Sequence, residues 1–174
     1  MSVLSIRAGR VEDAAGLTEL LNLPGVRNGS GRLPFTGEGF ARDRVAPRPR
    51  FHSLVGMLGG RLIAWGTLSC GEGRRAHAGS PAVFVHDDHT GAGHGSAMMT
   101  ALIGLADGWL GLRRLSVEVV ADNTRAIELY QRFAFEREGV LRADILRDGV
   151  LVDCVVMGRL RDAPRRQQDE ERGT

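Results

Sequence analysis

The sequence contains no lysine, and all 23 basic residues of this 174-residue chain are arginine. Without a lysine amine, the chain cannot form a Schiff base with a carbonyl substrate or build a phosphate loop of the GK[ST] type. Cysteine is also scarce: Cys70 and Cys154 are far apart and form no CxxC pair. We interpret them as reduced, inert thiols of a chain that we expect to be cytoplasmic.

Long apolar runs are absent as well. No stretch approaches the roughly 20 residues that a membrane-spanning helix needs, and the N-terminus lacks the basic start and apolar stretch of a signal peptide. The net charge of +2 is too small to indicate a nucleic-acid partner. Hydrophobic residues make up 43% and charged residues 25% of the chain, the balance of a globular domain with a substantial core.

The spacing of apolar residues predicts a mixed α/β chain with an antiparallel bias and one βαβ-like centre. Pro24 is expected to stop the first helix, and 25–39 is expected to be a glycine-rich loop. The polar end, 161–174, is expected to be a flexible tail. Strands are predicted at 3–6, 52–58, 61–69, 81–85, 115–120, 135–146 and 150–160, and helices at 11–21, 39–45, 93–112 and 124–132.

Three glycines, Gly91, Gly93 and Gly95, occupy every second position between an apolar strand and a helix. Glycine permits positive φ and close approach of a ligand to the backbone, and a helix N-terminus offers unpaired N–H groups. The stretch therefore favours a phosphate or pyrophosphate site, with a simple connecting turn as the alternative. Its G-x-G-x-G spacing does not match the dinucleotide fingerprint GxGxxG.

Two stretches together resemble the GNAT superfamily of acetyl-CoA-dependent N-acetyltransferases. In the first, Val85 ends the strand, and the glycines match the pattern [QR]-x-x-G-x-[GA], with Thr90 at the usual Gln/Arg position. The second, VEVVADNTRAIELYQRFAFEREG, resembles the family's V-x-x-x-N-x-x-A-x-x-L-Y-x-x-x-G-F motif, with Ala134 where glycine is usual. Its matching residues are Asn123, Ala126, Leu129, Tyr130 and Phe135.

The resemblance extends from about Ser5 to Leu160 and implies one acetyltransferase domain over 1–160. The implied GNAT fold has a mixed, largely antiparallel central sheet flanked by helices. The ordering of several short segments resembles bacterial L-amino-acid N-acetyltransferases in particular. The family also implies acetyl-CoA as the acetyl donor, no metal, a small-molecule amine as acceptor, and a homodimer that no residue pattern establishes. The implied cofactor-binding residues are Phe84, Val85, Thr90, Gly91, Ala92, Gly93, His94, Gly95, Ser96, Asn123 and Tyr130.

Tyr130, the only tyrosine, is the predicted catalytic residue. It lies seven positions after Asn123, so both are expected on one side of a helix. A phenol with a pKa near 10 suits protonation of a leaving thiolate, and the equivalent tyrosine of the family often has that role. A packed core aromatic is the alternative. The oxyanion is expected to meet a backbone N–H near Phe84 and Val85.

The acceptor amine and the general base stay open. Glu38, Glu72, Asp87 and Asp88 are candidate bases or ligands for a polycationic aminoglycoside antibiotic, and a water chain would also serve. Arg32 would instead pair with the carboxylate of an amino acid. An acetyl-CoA-binding regulatory module and a protein N-acetyltransferase are further alternatives. The candidate substrate-binding residues are Asn28, Arg32, Glu38 and Asp87. The nearby histidines His86, His89 and His94 lack the regular spacing of a zinc motif.

Overall fold

The computed structural model describes residues 4–161, which form a central sheet with helices on both faces. The strand order is β1-β2-β3-β4-β5-β7-β6, and every neighbouring pair is antiparallel except β4 and β5. This confirms the expected α/β class and the mixed, largely antiparallel sheet. The strands are β1 Ser5–Ala8, β2 Phe51–Leu58, β3 Arg61–Cys70, β4 Ala78–Val85, β5 Arg114–Val120, β6 Glu136–Arg147 and β7 Val150–Leu160.

The helices differ from the sequence prediction in two places. Pro24 stops the first helix as predicted, since that helix ends at Asn22 and Leu23 is extended. It also begins a further short helix that was not predicted, because its fixed φ and missing N–H suit the first position of a helix. The segment 25–39 is therefore partly helical rather than all loop. The helix predicted over 93–112 is α-helical only as far as Gly104 and continues as a π turn, Leu105–Trp109. The helices are α1 Ala14–Asn22, α2 Pro24–Asn28, α3 Glu38–Val45, α4 His94–Gly104 and α5 Thr124–Arg132.

Two apolar layers cover the two faces of the sheet. One lies under α1 and α3 and includes the buried Trp65, and the other lies under α4 and α5 and includes the buried Met98. Strand side chains alternate between faces, so Phe84 of β4 packs with the first layer while Val83 and Val85 pack with the second. Strand β4 thus contributes side chains to both sides of the sheet.

The structure describes no residue before Leu4 or after Arg161. The first strand begins at Ser5 rather than at the predicted position 3. The predicted tail, 161–174, lies outside the described residues except for Arg161. Within residues 4–161, no helix is both long and apolar enough to cross a membrane.

Candidate active site

A gap opens in the sheet between the parallel strands β4 and β5. Their backbones pair only where Ala78 and Gly79 face Arg114 and Leu115. One residue later, the Ser80 hydroxyl still donates a hydrogen bond to a β5 carbonyl, at 2.8 Å. Pro81 then has no N–H to donate, so the ladder ends there and the two strands separate.

Alternation along β4 decides which backbone groups face the gap. The His86 N–H donates to the Ile63 carbonyl of β3 at 2.8 Å, so the N–H of Phe84, two residues earlier, also faces β3. The N–H groups of Val83 and Val85 face the gap instead. The expected backbone donor near Phe84 and Val85 is therefore Val85, while Phe84 contributes its ring.

A cavity of about 650 Å³ lies at this gap, between the glycine loop and α5. Nine of the predicted site residues line it, together with parts of α2 and α5. Six do not: Ala92, His94, Tyr130, Asn28, Arg32 and Glu38 are absent from its wall. The predicted residues that line the cavity are Phe84, Val85, Asp87, Thr90, Gly91, Gly93, Gly95, Ser96 and Asn123.

The glycine loop turns its backbone towards this cavity. Gly91 and Gly93 have φ values of 80° and 85°, which other residues adopt only with strain, and no atom lies within 4 Å of the Cβ that either lacks. Helix α4 begins directly after Gly93, and no side chain caps its first N–H groups. Thr90, the departure from the family pattern, donates its hydroxyl to the Asp87 carbonyl at 3.0 Å and so fastens the loop.

Gly95 lies in the first turn of α4. A Cβ there would lie 3.5 Å from the Leu129 side chain and 3.7 Å from that of Val85, which are ordinary contact distances. The first turn of α4 therefore lies against α5 and β4.

Tyr130 lies behind the cavity wall and is 6% exposed. Its ring packs edge-on against Phe135, with centroids 5.3 Å apart. Burial raises the pKa of Tyr130 from 10.0 to about 12, and a hydrogen bond that its oxygen accepts from the Val83 backbone opposes the rise. The expected ordinary phenol pKa is thus wrong for this site, because the ring is buried at the gap.

Asn123, unlike Tyr130, lines the cavity. Its side-chain oxygen accepts a hydrogen bond from the Ala126 N–H at 3.2 Å and caps α5. Its amide nitrogen would lie 2.7 Å from a Cβ on Gly29, so α2 approaches the cap closely only because Gly29 has no side chain.

Helix α5 also contributes two arginines that the motif comparison missed. Arg125 and Arg132 line the cavity and are seven residues, or two turns, apart, which places them on one face of the helix. Neither forms an ion pair with the residues the structure describes. Their seven-residue spacing was a signal in the sequence, but only the structure shows that this face borders the glycine loop.

The acidic candidates already have partners. Asp87 accepts a hydrogen bond from the Gly25 N–H at 2.9 Å, at the start of α2. Glu38 pairs with Arg42 at 2.8 Å on the outer surface of α3, and Glu72 pairs with Arg50 at 2.5 Å. Of these three carboxylates only Asp87 lines the cavity, so they do not surround it as a polycationic ligand would need.

Arg32 lies on the other side of Phe84, within an aromatic cluster. Its guanidinium carbon is 4.8 Å from the Phe40 ring centroid, 5.4 Å from Trp65 and 5.5 Å from Phe84. Burial, and then the charge of Arg44, lower the pKa of Arg32. Its Nε is buried and has no hydrogen-bond partner among the described residues.

The three histidines lie in a row from the end of β4 to the start of α4. The ring of His89 is 5.4 Å from that of His86 and 6.1 Å from that of His94, both in edge contacts. Over residues 4–161, no group of three or more histidine, cysteine, aspartate or glutamate side chains is arranged to hold a metal ion.

Known proteins match this chain in sequence and in fold. Residues 27–135 match the acetyltransferase (GNAT) family. The L-amino acid N-acetyltransferase AaaT of Escherichia coli (strain K12) is 28% identical over 162 residues, covering 92% of this chain and 100% of the relative.

Two solved structures share the fold at low sequence identity. The structure of yncA from Salmonella typhimurium with its cofactor acetyl-CoA has a TM-score of 0.82 at 18% identity, covering 95% of this chain and 100% of that one. A phosphinothricin acetyltransferase (Pat) from Sinorhizobium meliloti in complex with AcCoA has a TM-score of 0.79 at 19% identity, covering 90% and 88%.

Proposed function

The chain belongs to the acetyltransferase (GNAT) family and is an acyltransferase, and on that premise we propose that it transfers the acetyl group of acetyl-CoA to the α-amino group of an amino acid. The observation that carries the proposal is the position of Tyr130. Its hydroxyl lies at the gap between β4 and β5, beside the cavity onto which the glycine loop opens. The resemblance to AaaT supports an amino acid as the acceptor.

The cavity has the chemistry that the pyrophosphate of coenzyme A requires. Gly91 and Gly93 leave the backbone bare, and the uncapped start of α4 offers N–H groups and the positive end of the helix dipole. The opposite wall carries two positive charges, Arg125 and Arg132, and one negative charge, Glu128. In a chain without lysine, we assign these two arginines to the phosphate groups.

When bound, acetyl-CoA supplies a thioester carbonyl and a thiolate leaving group. The free N–H of Val85 is placed to hold the carbonyl oxygen as negative charge develops there. We assign to Tyr130, whose oxygen is held by the Val83 N–H, the donation of its phenolic proton to the sulfur as the C–S bond breaks and the C–N bond forms. The phenolate then recovers a proton from water. The acceptor must arrive as a neutral amine, and its surplus proton leaves to water.

The acceptor enters from the face of α1 and α3, where Phe84 and Arg32 lie. We assign Arg32 to the acceptor carboxylate, because its guanidinium is stacked on rings and carries a buried, unpaired Nε. An amino-sugar acceptor would need free carboxylates there, and those of Glu38 and Glu72 are paired with arginines.

A panel of amines tests this function directly. Thiol release from acetyl-CoA is expected with free amino acids and at least about tenfold less with the corresponding decarboxylated amines, which lack the α-carboxylate. The Arg32→Gln variant is expected to reduce that difference by raising KM for the amino acid. Mass spectrometry of the product must show the acetyl group on the amine. Turnover of aminoglycosides alone would contradict the amino-acid assignment. The absence of thiol release with every amine would favour a regulatory module.

The pH dependence is set by the acceptor rather than by Tyr130. Since the pKa of Tyr130 is about 12, the phenol keeps its proton throughout the neutral and moderately alkaline range. We expect kcat to rise with pH as the acceptor ammonium loses its proton, with no fall below about pH 10.5. Initial rates across that range check this. A descending limb near pH 9 to 10 that vanishes in Tyr130→Phe would show that the phenol titrates at its ordinary value, about 10.

A further inference from the structure

Guanidinium groups and aromatic rings alternate along the surface that leads away from Phe84. Arg32 and Arg44 each lie 4.8 Å from the centroid of the Phe40 ring. Arg44 is also 5.6 Å from the centroid of Phe51, and Arg48 is 4.5 Å from it. We call these five residues the arginine–aromatic ladder. It connects the wall of the cavity with the end of α3 and the start of β2.

The three arginines of the ladder have no carboxylate partner among residues 4–161. Their neighbours in sequence do: Arg42 pairs with Glu38, and Arg50 with Glu72. Like charges are therefore gathered here without compensation, and the charge of Arg44 contributes to the lowered pKa of Arg32.

The rings hold these guanidinium groups in positions that suit an anion. A guanidinium over a ring can still offer N–H donors along its edge, where a carboxylate can accept two of them. Held side chains also lose less rotamer freedom when a ligand binds. The ladder therefore offers more than one preformed carboxylate position, the first of them beside Phe84.

We propose that the acceptor site selects amino acids that carry a second carboxylate, with Arg32 on the α-carboxylate and Arg44 on the side-chain carboxylate. This inference rests on the proposed amino-acid acetylation and names its substrate class. Arg48 lies one ring further along and adds to the positive potential at the far end of the ligand. An acceptor with an uncharged side chain leaves both Arg44 and Arg48 uncompensated.

The test compares glutamate with glutamine, which has nearly the same shape without the second charge. Each is titrated calorimetrically into the enzyme saturated with coenzyme A, where no acetyl group is available, and kcat/KM is measured in parallel with acetyl-CoA. We expect glutamate to bind about tenfold more tightly than glutamine or better, because a charge-assisted hydrogen bond is lost with glutamine. Arg44→Gln is expected to bring the ratio close to one.

The matched control is Arg42→Gln, on the same helix but paired with Glu38, and it should keep the tenfold ratio. Equal binding of glutamate and glutamine to the wild-type enzyme overturns the proposal, as does a ratio that survives in a folded Arg44→Gln variant. If Arg44→Gln does not fold, Arg48→Gln provides the test. The ratio of glutamate to glutamine affinity is then expected to fall by about threefold or more. An unchanged ratio overturns the proposal.

The same experiment separates this inference from the function on which it rests. Acetylation of neutral amino acids without a preference for glutamate keeps the function and removes the role of the ladder. Selective glutamate binding that depends on Arg44, with no amino acid acetylated, keeps the anion site and removes the proposed reaction.

Discussion

Replacing Tyr130 with phenylalanine is expected to lower kcat by about 10²–10⁴-fold, the range that a general acid contributes, while acetyl-CoA affinity changes by less than about twofold. The substitution removes only the oxygen that meets the Val83 backbone at the gap, and Tyr130 does not line the cavity to which we assign the phosphates. Stopped-flow thiol release gives kcat, and calorimetry gives the affinity. A variant with wild-type kcat would remove the acid role.

A control separates chemistry from packing at this position. Phe135→Leu removes the ring that contacts Tyr130 at 5.3 Å but keeps the phenol. It is expected to lower the melting temperature, since Phe135 is 2% exposed, and to retain most of the turnover. If both variants lose turnover in proportion to their loss of stability, Tyr130 acts through packing and not through its proton.

Placing glutamate at position 93 is expected to weaken acetyl-CoA binding by about 10²–10³-fold. The new carboxylate would project into the open space beside the loop, where we assign the pyrophosphate, and two unit charges about 4 Å apart repel by roughly 4 kcal/mol near a protein surface. Calorimetric titration with coenzyme A measures the effect. Wild-type affinity in Gly93→Glu would show that the glycine loop does not hold the phosphates.

Two variants divide that effect into its parts. Gly93→Asn introduces a residue that tolerates φ near 85° and carries no charge. Its affinity for coenzyme A should therefore fall by less than about tenfold. Gly104→Glu adds the same charge to the far end of α4, where no atom lies within 4 Å of the missing Cβ, and should bind coenzyme A normally. Together they distinguish charge, backbone strain and a general effect on the helix.

Most of the fold could be predicted from the sequence, because its strands, helices and turns have strong local patterns of apolar residues and turn residues. The hairpin of β2 and β3, the helix after Asn123 and the final hairpin all appear within one or two residues of their predicted positions. Two prolines were only partly interpreted. Pro24 stops α1 as predicted but also begins α2, which was not predicted, and Pro81 was predicted to start β4, which begins at Ala78. Pro81 is tolerated inside the strand because its missing N–H faces the gap.

The site could be predicted from the sequence only where its residues are also close together in the chain. The glycine loop and Asn123 line the cavity because strand, loop and helix follow each other directly in the chain. The raised pKa of Tyr130 depends on how deeply the ring is buried, which no local pattern encodes. The arginine–aromatic ladder joins residues from α3, β2 and the segment before α3, so the sequence supplied Arg32 as a candidate but not its neighbours.

The hydrogen bond from Gly25 to Asp87 has a consequence for the order in which the two substrates bind. Asp87 belongs to the loop that we assign to the phosphates, whereas Gly25 opens α2, whose far end meets Asn123 and Arg147. A Cβ on Gly25 would lie 2.5 Å from an Asp87 oxygen, so the two segments are in close contact as well as hydrogen-bonded. Once the nucleotide portion holds the loop, this short helix is held as well. Product-inhibition kinetics should therefore show acetyl-CoA adding first and free coenzyme A leaving last.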